Sequence, residues 1–433
     1  MNAFLASRSA RVGLVILALI GLLALFGPLV VPFPGAVTRW RDISYWEDNP
    51  AGAPPAWVSG PWNHWAFPPT GRAKSSAPLV REGTAGRLET WDFRLAGGAP
   101  SAGTPSAGTP TLAPSAAATA AGGSTSRPRD VVLRVPGGEG RAFLLVREGG
   151  PDSPGRELYR SDVDLVSGGS LRLDLPSVSA AELTATMYLT SGQPEPGPPT
   201  VLTVGRSEGL LGTDADKRDV FTGLVLGIRW ALLLGVVVSF LTVVSGLLLG
   251  TFAACYGGFL GALTNRVYEF FSMMPLLPFL VAVSAIHKPS LWSFAGLALL
   301  FFWTRTFKTV YARALQIKSE GHIEAAVLVG AGRWWRVTRH VLPELLPYAF
   351  AMMAMSVPGI IIAEAGVSLL GLGDTTTVTW GQMLHDAFVQ GAVINGMWWW
   401  VLPPGLSIAT MGLSFALVGR GLDRVVNPRS SRR

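Results

Sequence analysis

From Trp230 to Ala254 the chain runs without a single charged residue. An α-helix needs roughly 20 apolar residues to cross hydrocarbon. A lone segment in hydrocarbon has to be helical, because a helix satisfies its own backbone N–H and C=O groups. Further apolar runs lie at Val12–Val31, Tyr268–Ile286, Leu291–Tyr311 and Leu345–Leu372, and a last one opens at Trp398. Charged residues make up 15% of the 433, and 49% are hydrophobic; soluble proteins carry about 25% charged residues. The pattern predicts an all-α polytopic membrane protein of six transmembrane helices. Arg8 and Arg11 precede the first run, which is too long for a signal-peptide core and lacks an A-x-A cleavage pattern after it. It reads as a first span with its N-terminus in the cytoplasm.

The formal charge of +7 is distributed beside the ends of the apolar runs, which is how topology, rather than a phosphate footprint, places Lys and Arg. No nucleic-acid partner is expected. Lys and Arg crowd residues 305–339 and 420–433 and are missing from 374–396, so the first two stretches and both termini are expected inside and the third outside. Cys255 stands alone, excluding an internal disulfide framework or a Cys-based zinc site. The five histidines show no ligand spacing, and neither metal nor cofactor is expected. No G-x-x-x-x-G-K-[ST] occurs. The chain therefore has no P-loop, and any ATP-driven work belongs to another polypeptide.

Residues 34–210 differ in kind. Trp40, Tyr45, Trp46, Trp57, Trp62 and Trp65 crowd its start, and form either a small core and interfacial belt or a partner surface. A segment at 96–128, carrying SAGTP twice in tandem at Ser101–Pro110, is too poor in large apolar residues to order itself and reads as a linker. Beyond it, Val131, Leu133 and Val135, and then Leu171, Leu173 and Leu175, alternate with other residues, and Gly137-Gly138, Gly149-Gly150 and Gly168-Gly169 mark turns. A small β-rich domain outside the membrane is expected, giving domains at 1–33, 34–210 and 211–433. At its exit, Thr213, Asp214 and Asp219 are candidate helix-capping residues on the outer face, with Asp216 completing a capping box from Thr213.

The stretch 317–347 (IKSEGHIEAAVLVGAGRWWRVTRHVLPELLP) is polar and basic between two apolar runs. At helical spacing Ile323, Ala326, Val327, Gly330, Trp334 and Val337 share a stripe, small-sided around Ala325 and Ala326. Gly330 and Gly332 allow a bend. Further on, Glu364 is an acidic residue deep in an apolar run. Such a group costs at least about 2–3 kcal/mol and normally faces a bundle interior or a water path. It marks either a translocation route, with Met355 and Pro358 of the same span, or a structural hydrogen bond between helices.

Glu324-Ala325-Ala326, Gly330 and Leu342-Pro343 resemble the EAA loop of type I ABC importer permeases. Gly212–Val220 (GTDADKRDV) resembles the G-T-D-x-x-G-R-D-V segment of dipeptide and oligopeptide permeases, with Lys217 where the family usually has Gly. Tyr256–Phe259 (YGGF), Glu364–Gly373 (EAGVSLLGLG), Trp380–Leu384 (WGQML) and the terminal GRGLDRVVNPR are similar to further motifs of the same permeases, in the same order. The resemblance covers 1–33 and 205–433 and points to a C-type permease subunit of a dipeptide/oligopeptide importer in the cell membrane. It implies a homologous B-type permease, two ATP-binding subunits and an extracytoplasmic substrate-binding protein as partners. It also implies an ATPase-coupling role for Glu324, Ala325, Ala326, Gly330 and Gly332. Related permeases carry oligosaccharides or nickel complexes, so the cargo stays open between these and peptides. An insert of this size between the first two spans departs from the family, and a membrane-anchored receptor using 34–210 is the rival from another class.

Overall fold

The computed structural model describes residues 7–31, 35–59, 71–74, 79–83, 86–94, 130–135, 141–148, 157–164, 169–174, 182–189, 200–204, 207–286 and 290–426. The 96–128 segment, Trp62, Trp65, Leu175, the paired glycines 137–138 and 149–150, and His287–Pro289 lie outside the described residues. Contacts divide the chain into one unit of Met1–Thr38 with Thr222–Arg433, and a second of Arg39–Phe221.

The first unit is helical: α1 (Arg8–Val30), α2 (Val220–Tyr256), α3 (Gly258–Met273), α4 (Leu276–Ile286), α5 (Leu291–Lys318), α6 (Gly321–Leu328), α7 (Arg333–Arg336), α8 (Leu342–Val367), α9 (Trp380–Val389) and α10 (Trp398–Val426). Among the described residues four helical stretches are long and apolar enough to cross a membrane: Arg8–Gly27, Val220–Tyr256, Arg333–Leu372 and Trp398–Asp423. A fifth is reached if α3 and α4 count as one span. The single third helix expected at Tyr268–Ile286 is instead broken, with its halves bent by 83°. Met274, at the break, is extended and Pro275 follows. Proline disfavours helical backbone in the residue before it, so the helix ends there rather than merely kinking. Helix α5 falls outside that set because Arg305, Lys308, Arg313 and Lys318 follow its apolar first half. Helix α2 begins ten residues earlier than the Trp230 expected, and its 37 residues span about 55 Å, longer than the ~30 Å hydrocarbon core.

Close backbone approach organises the bundle. Gly246 and Gly250 sit one turn apart on α2, and a Cβ on Gly246 would lie 2.6 Å from Thr306 Cβ and 2.7 Å from the Trp303 carbonyl of α5. One on Gly250 would lie 2.9 Å from the Phe307 carbonyl. Small residues at such a seam let helices pack where lipid supplies no hydrophobic drive between them. Two apolar clusters follow from it. Leu234, Val238, Leu280, Leu291, Phe294, Ala298, Ile360 and Val367 gather α2, α4, α5 and α8 toward the start of α5. Val243, Leu247, Ala254, Val310, Ala314, Ile317, Ile323, Val341, Leu345 and Ala349 gather α2, α5, α6 and α8 toward its end. Large apolar side chains such as Leu19, Leu25, Phe240, Phe350 and Leu406 face outward, as lipid-facing positions do. Trp380 donates from Nε1 to the Leu224 carbonyl at 3.0 Å, and Gly381 lies against Ala365 and Ser368, so the W-G pair fastens α9 to α2 and α8. Of the three tryptophans opening α10, Trp399 and Trp400 are buried and only Trp398 is exposed enough to act as the expected interfacial anchor.

Among the described residues the second unit has nine strands, all paired antiparallel: β1 (Gly71–Lys74), β2 (Leu79–Gly83), β3 (Gly86–Arg94), β4 (Asp130–Val135), β5 (Arg141–Glu148), β6 (Glu157–Asp164), β7 (Gly169–Asp174), β8 (Glu182–Leu189) and β9 (Thr200–Val204). One sheet runs β1-β9-β4-β7 and the other β2-β3-β8-β5-β6. Val131 is opposite Leu173, and Leu133 opposite Leu171.

In the same unit, residues 49–56 and 208–217 are laced together. Gly52 N donates to the Asp214 carbonyl at 2.7 Å, Thr213 N to the Ala53 carbonyl at 2.8 Å, and Ala56 N to the Gly209 carbonyl at 3.0 Å. Here the capping expectation is corrected. Helix α2 starts at Val220, so Thr213 and Asp214 are too far upstream to cap it. Thr213 Oγ1 instead accepts from Ala53 N at 2.9 Å and donates to the Pro50 carbonyl at 2.6 Å. Asp214 accepts from Arg218 N at 2.7 Å and from its Nε at 2.6 Å, and Asp216 holds Arg218 Nη2 at 2.9 Å. Asp219 alone stands directly before the helix. Trp40 and Trp46 pack edge to face at 5.4 Å, with Arg218 over the Trp40 ring, a small core rather than a surface. Trp57 stays exposed and donates to the Leu210 carbonyl.

Candidate functional site: the loop between α5 and α8

Ile317, fully buried, closes α5, and Lys318 Nζ reaches the Ala254 carbonyl at 3.4 Å near the end of α2. Glu320 then precedes α6, the short helix carrying Glu324, Ala325 and Ala326. Ile323 is its one buried residue, seated in the cluster with Val341 and Leu345. The C-terminal end of α6 is set by a Schellman pattern: Gly330 N donates to the Val327 carbonyl at 3.0 Å and Ala331 N to the Ala326 carbonyl at 2.9 Å. Gly330 has φ 84, a left-handed value that glycine adopts without penalty, and no side chain would be crowded there. Gly332 has φ −62, open to any residue, so the bend rests on Gly330.

The expected single stripe is divided in the structure. Ile323 and Val337 are buried, whereas Val327 is half exposed and Trp334 is exposed with its ring stacked 5.8 Å from Phe252. The break at Gly330 and a π turn over Val337–Val341 re-phase the chain, so one helical periodicity does not run through. Leu328 and Val329, each 87% exposed, form with Val327 an apolar tip on an otherwise polar loop. Sequence reasoning passed over this tip. Its signal was there, in three consecutive apolar residues that no buried stripe could all use.

In α8, Glu364 is buried and accepts from Ser368 Oγ at 2.8 Å. Met355 is exposed and Pro358 half-buried. Nine residues at 3.6 per turn set Met355 and Glu364 on opposite faces, so these three do not converge on one surface. After α8, Asp374 Oδ1 accepts from the amide and hydroxyl of Thr376 at 2.7 and 2.6 Å, and Oδ2 from Leu291 N at 3.1 Å, capping the start of α5. Burial pulls this carboxyl upward, but the Thr376 and Leu291 donors outweigh it and hold it below the usual carboxylate range.

Residues 246–432 match the family described as the binding-protein-dependent transport system inner membrane component, and residues 1–51 match the N-terminal TM domain of oligopeptide transport permease C. A Brucella suis biovar 1 (strain 1330) protein, provisionally named a peptide transport system permease protein, is 31% identical over 224 residues, 51% of this chain and 74% of that one. The chain belongs to this permease family. The dipeptide transport system permease protein DppC of Bacillus subtilis (strain 168) is 28% identical over 51% of this chain and 69% of its own. The oligopeptide transport system permease protein OppC of Haemophilus influenzae is 26% identical over 50% and 70%. The permease is thus a multi-pass membrane protein and a transport component rather than a catalytic enzyme. The two family matches leave 52–245, with all nine strands, between them.

Proposed function

We propose that this permease forms half of the translocation pathway of an ATP-driven peptide importer, taking peptides from an extracytoplasmic binding protein. A homologous permease supplies the other half, and two ATP-binding subunits dock beneath. The named relatives support the peptide cargo. The observation that carries the coupling role is the apolar tip at Val327–Val329 on a helix anchored by Ile323 alone. Exposed apolar groups rimmed by charge mark protein contacts, and Ala325 and Ala326 let a partner's surface approach closely. Motion of α6 passes through Ile323 into the cluster shared with α2, α5 and α8, so a nucleotide-driven change below can bias the bundle between two states.

This reading has six spans, with α3–α4 counting as one and α5 completing the number, both termini and α6 in the cytoplasm, and the 34–210 insert outside. The Lys and Arg crowding near α6 and the chain end supports that orientation. The test is Ala326→Glu in the reconstituted four-subunit assembly. Uptake should fall by at least about tenfold while membrane insertion is normal and ATP hydrolysis continues; undiminished uptake rejects the docking role.

A further inference from the structure

We propose that Glu320, His322 and Glu344 bind one borderline divalent transition ion, of which zinc is the representative, and that the ion pins the start of α6 to the start of α8. One ligand atom from each of the three lies within 4.8 Å of the others. Glu320 Oε2 and His322 Nδ1 are already 3.6 Å apart. Zinc bonds of about 2.0–2.2 Å to imidazole nitrogen and carboxylate oxygen place neighbouring ligands roughly 3.4 Å apart in a tetrahedron. Only the third ligand has to close in, by up to about 1.4 Å, and all three side chains are solvent-accessible.

A second observation points to the same place. The His340 ring lies 5.9 Å from that of His322, and its Nε2 is buried with no hydrogen-bond partner. A buried imidazole nitrogen without a hydrogen-bond partner is a donor in reserve, and the π turn that carries it is a backbone feature frequent at functional sites. A mixed nitrogen and carboxylate set favours zinc, cobalt or nickel over calcium and magnesium, which take oxygen ligands. Two carboxylates also offset the ion's charge. Spacing along the chain hid the site, because Glu344 follows His322 only after the whole α6–α7 excursion; folding brings them together. The inference stands on this geometry and not on the docking of α6.

The test uses the full-length chain in detergent, stripped with a chelator and titrated with Zn2+ alone by calorimetry, with Co2+ absorption reporting coordination. One saturable site per chain is expected. His322→Ala and Glu344→Gln should each weaken it at least about tenfold, His340→Ala should weaken it less, and His385→Ala should leave it unchanged. Equal Zn2+ binding by the wild type and the His322→Ala and Glu344→Gln variants, or no saturable site, overturns the proposal. An unchanged His340→Ala variant removes His340 from the site. His322 and Glu344 face solvent, so their variants should fold, and unaltered circular dichroism checks that all four variants do.

Discussion

The seam between α2 and α5 and the loop helix α6 are adjoining parts of one bundle, yet they are held in opposite ways. At the seam, Gly246 and Gly250 bring two backbones so close that even a methyl group has no room. Helix α6 is held by one buried side chain, Ile323, and turns its remaining apolar surface, Val327 to Val329, to solvent. Tight packing of the first kind leaves one arrangement available. The second kind leaves a short element whose position is decided by whatever covers it. A machine that transmits force needs both, a stiff frame and a lightly attached joint.

The largest expected effect lies in the frame. Gly246→Leu should cost about 1–3 kcal/mol through overpacking and appear as a marked fall in thermal stability of the detergent-purified protein; an unchanged melting temperature would mean that the seam can yield. Ile323→Ala should cost about 2 kcal/mol by removing a buried side chain, but locally, so that hydrogen exchange rises in residues 320–331 and not along α2. A uniform rise would erase the distinction between frame and joint. Acid sharpens it from the other side. Asp374 has a folded carboxyl value below its unfolded one, so its contribution is complete above the usual carboxylate value and is lost as pH falls through the lowered one. Below about pH 4 the start of α5 should therefore loosen, and Asp374→Asn should flatten that dependence in acid-unfolding curves. The smallest effect on stability is expected at the tip. Leu328→Ser should stay within about 0.5 kcal/mol while reducing ATP-dependent uptake, and a large loss of stability there would show that the tip is packed within the chain after all.

Lys217 offers a further contrast, between backbone and side chain. It has φ 67, the one left-handed non-glycine among the described residues. Lys217→Gly is expected to gain up to about 1 kcal/mol, read as a rise in melting temperature, with the Asn49 hydrogen bond to the residue 217 carbonyl intact.

What could be read in advance divides along physical lines. Apolar length alone located α1, α2 and the helix after Leu342, because a backbone in hydrocarbon has few options. The bend at Gly330 was legible for the same reason, since few residues tolerate its conformation. The break at Met274–Pro275 was not, because a proline in an apolar run can either kink a helix or end it, and packing decides. Thr213 and Asp214 looked like caps from their neighbours in sequence, but Asp214 holds Arg218 and the partners of Thr213, Pro50 and Ala53, lie some 160 residues away. Pairings at that distance leave no periodic trace. Glu364 was recognised as a costly group, but its bond to Ser368, one turn on, could not be read from the apolar run.

That long-range lacing has an evolutionary meaning. Because residues 49–56 and 208–217 hold one another directly, whatever chain is strung between them adds no loose tether. A segment fastened at its root in this way can be lengthened, exchanged or lost by recombination without retuning the turns beneath it. The lacing is thus a ready socket, into which evolution or an engineer can fit another module.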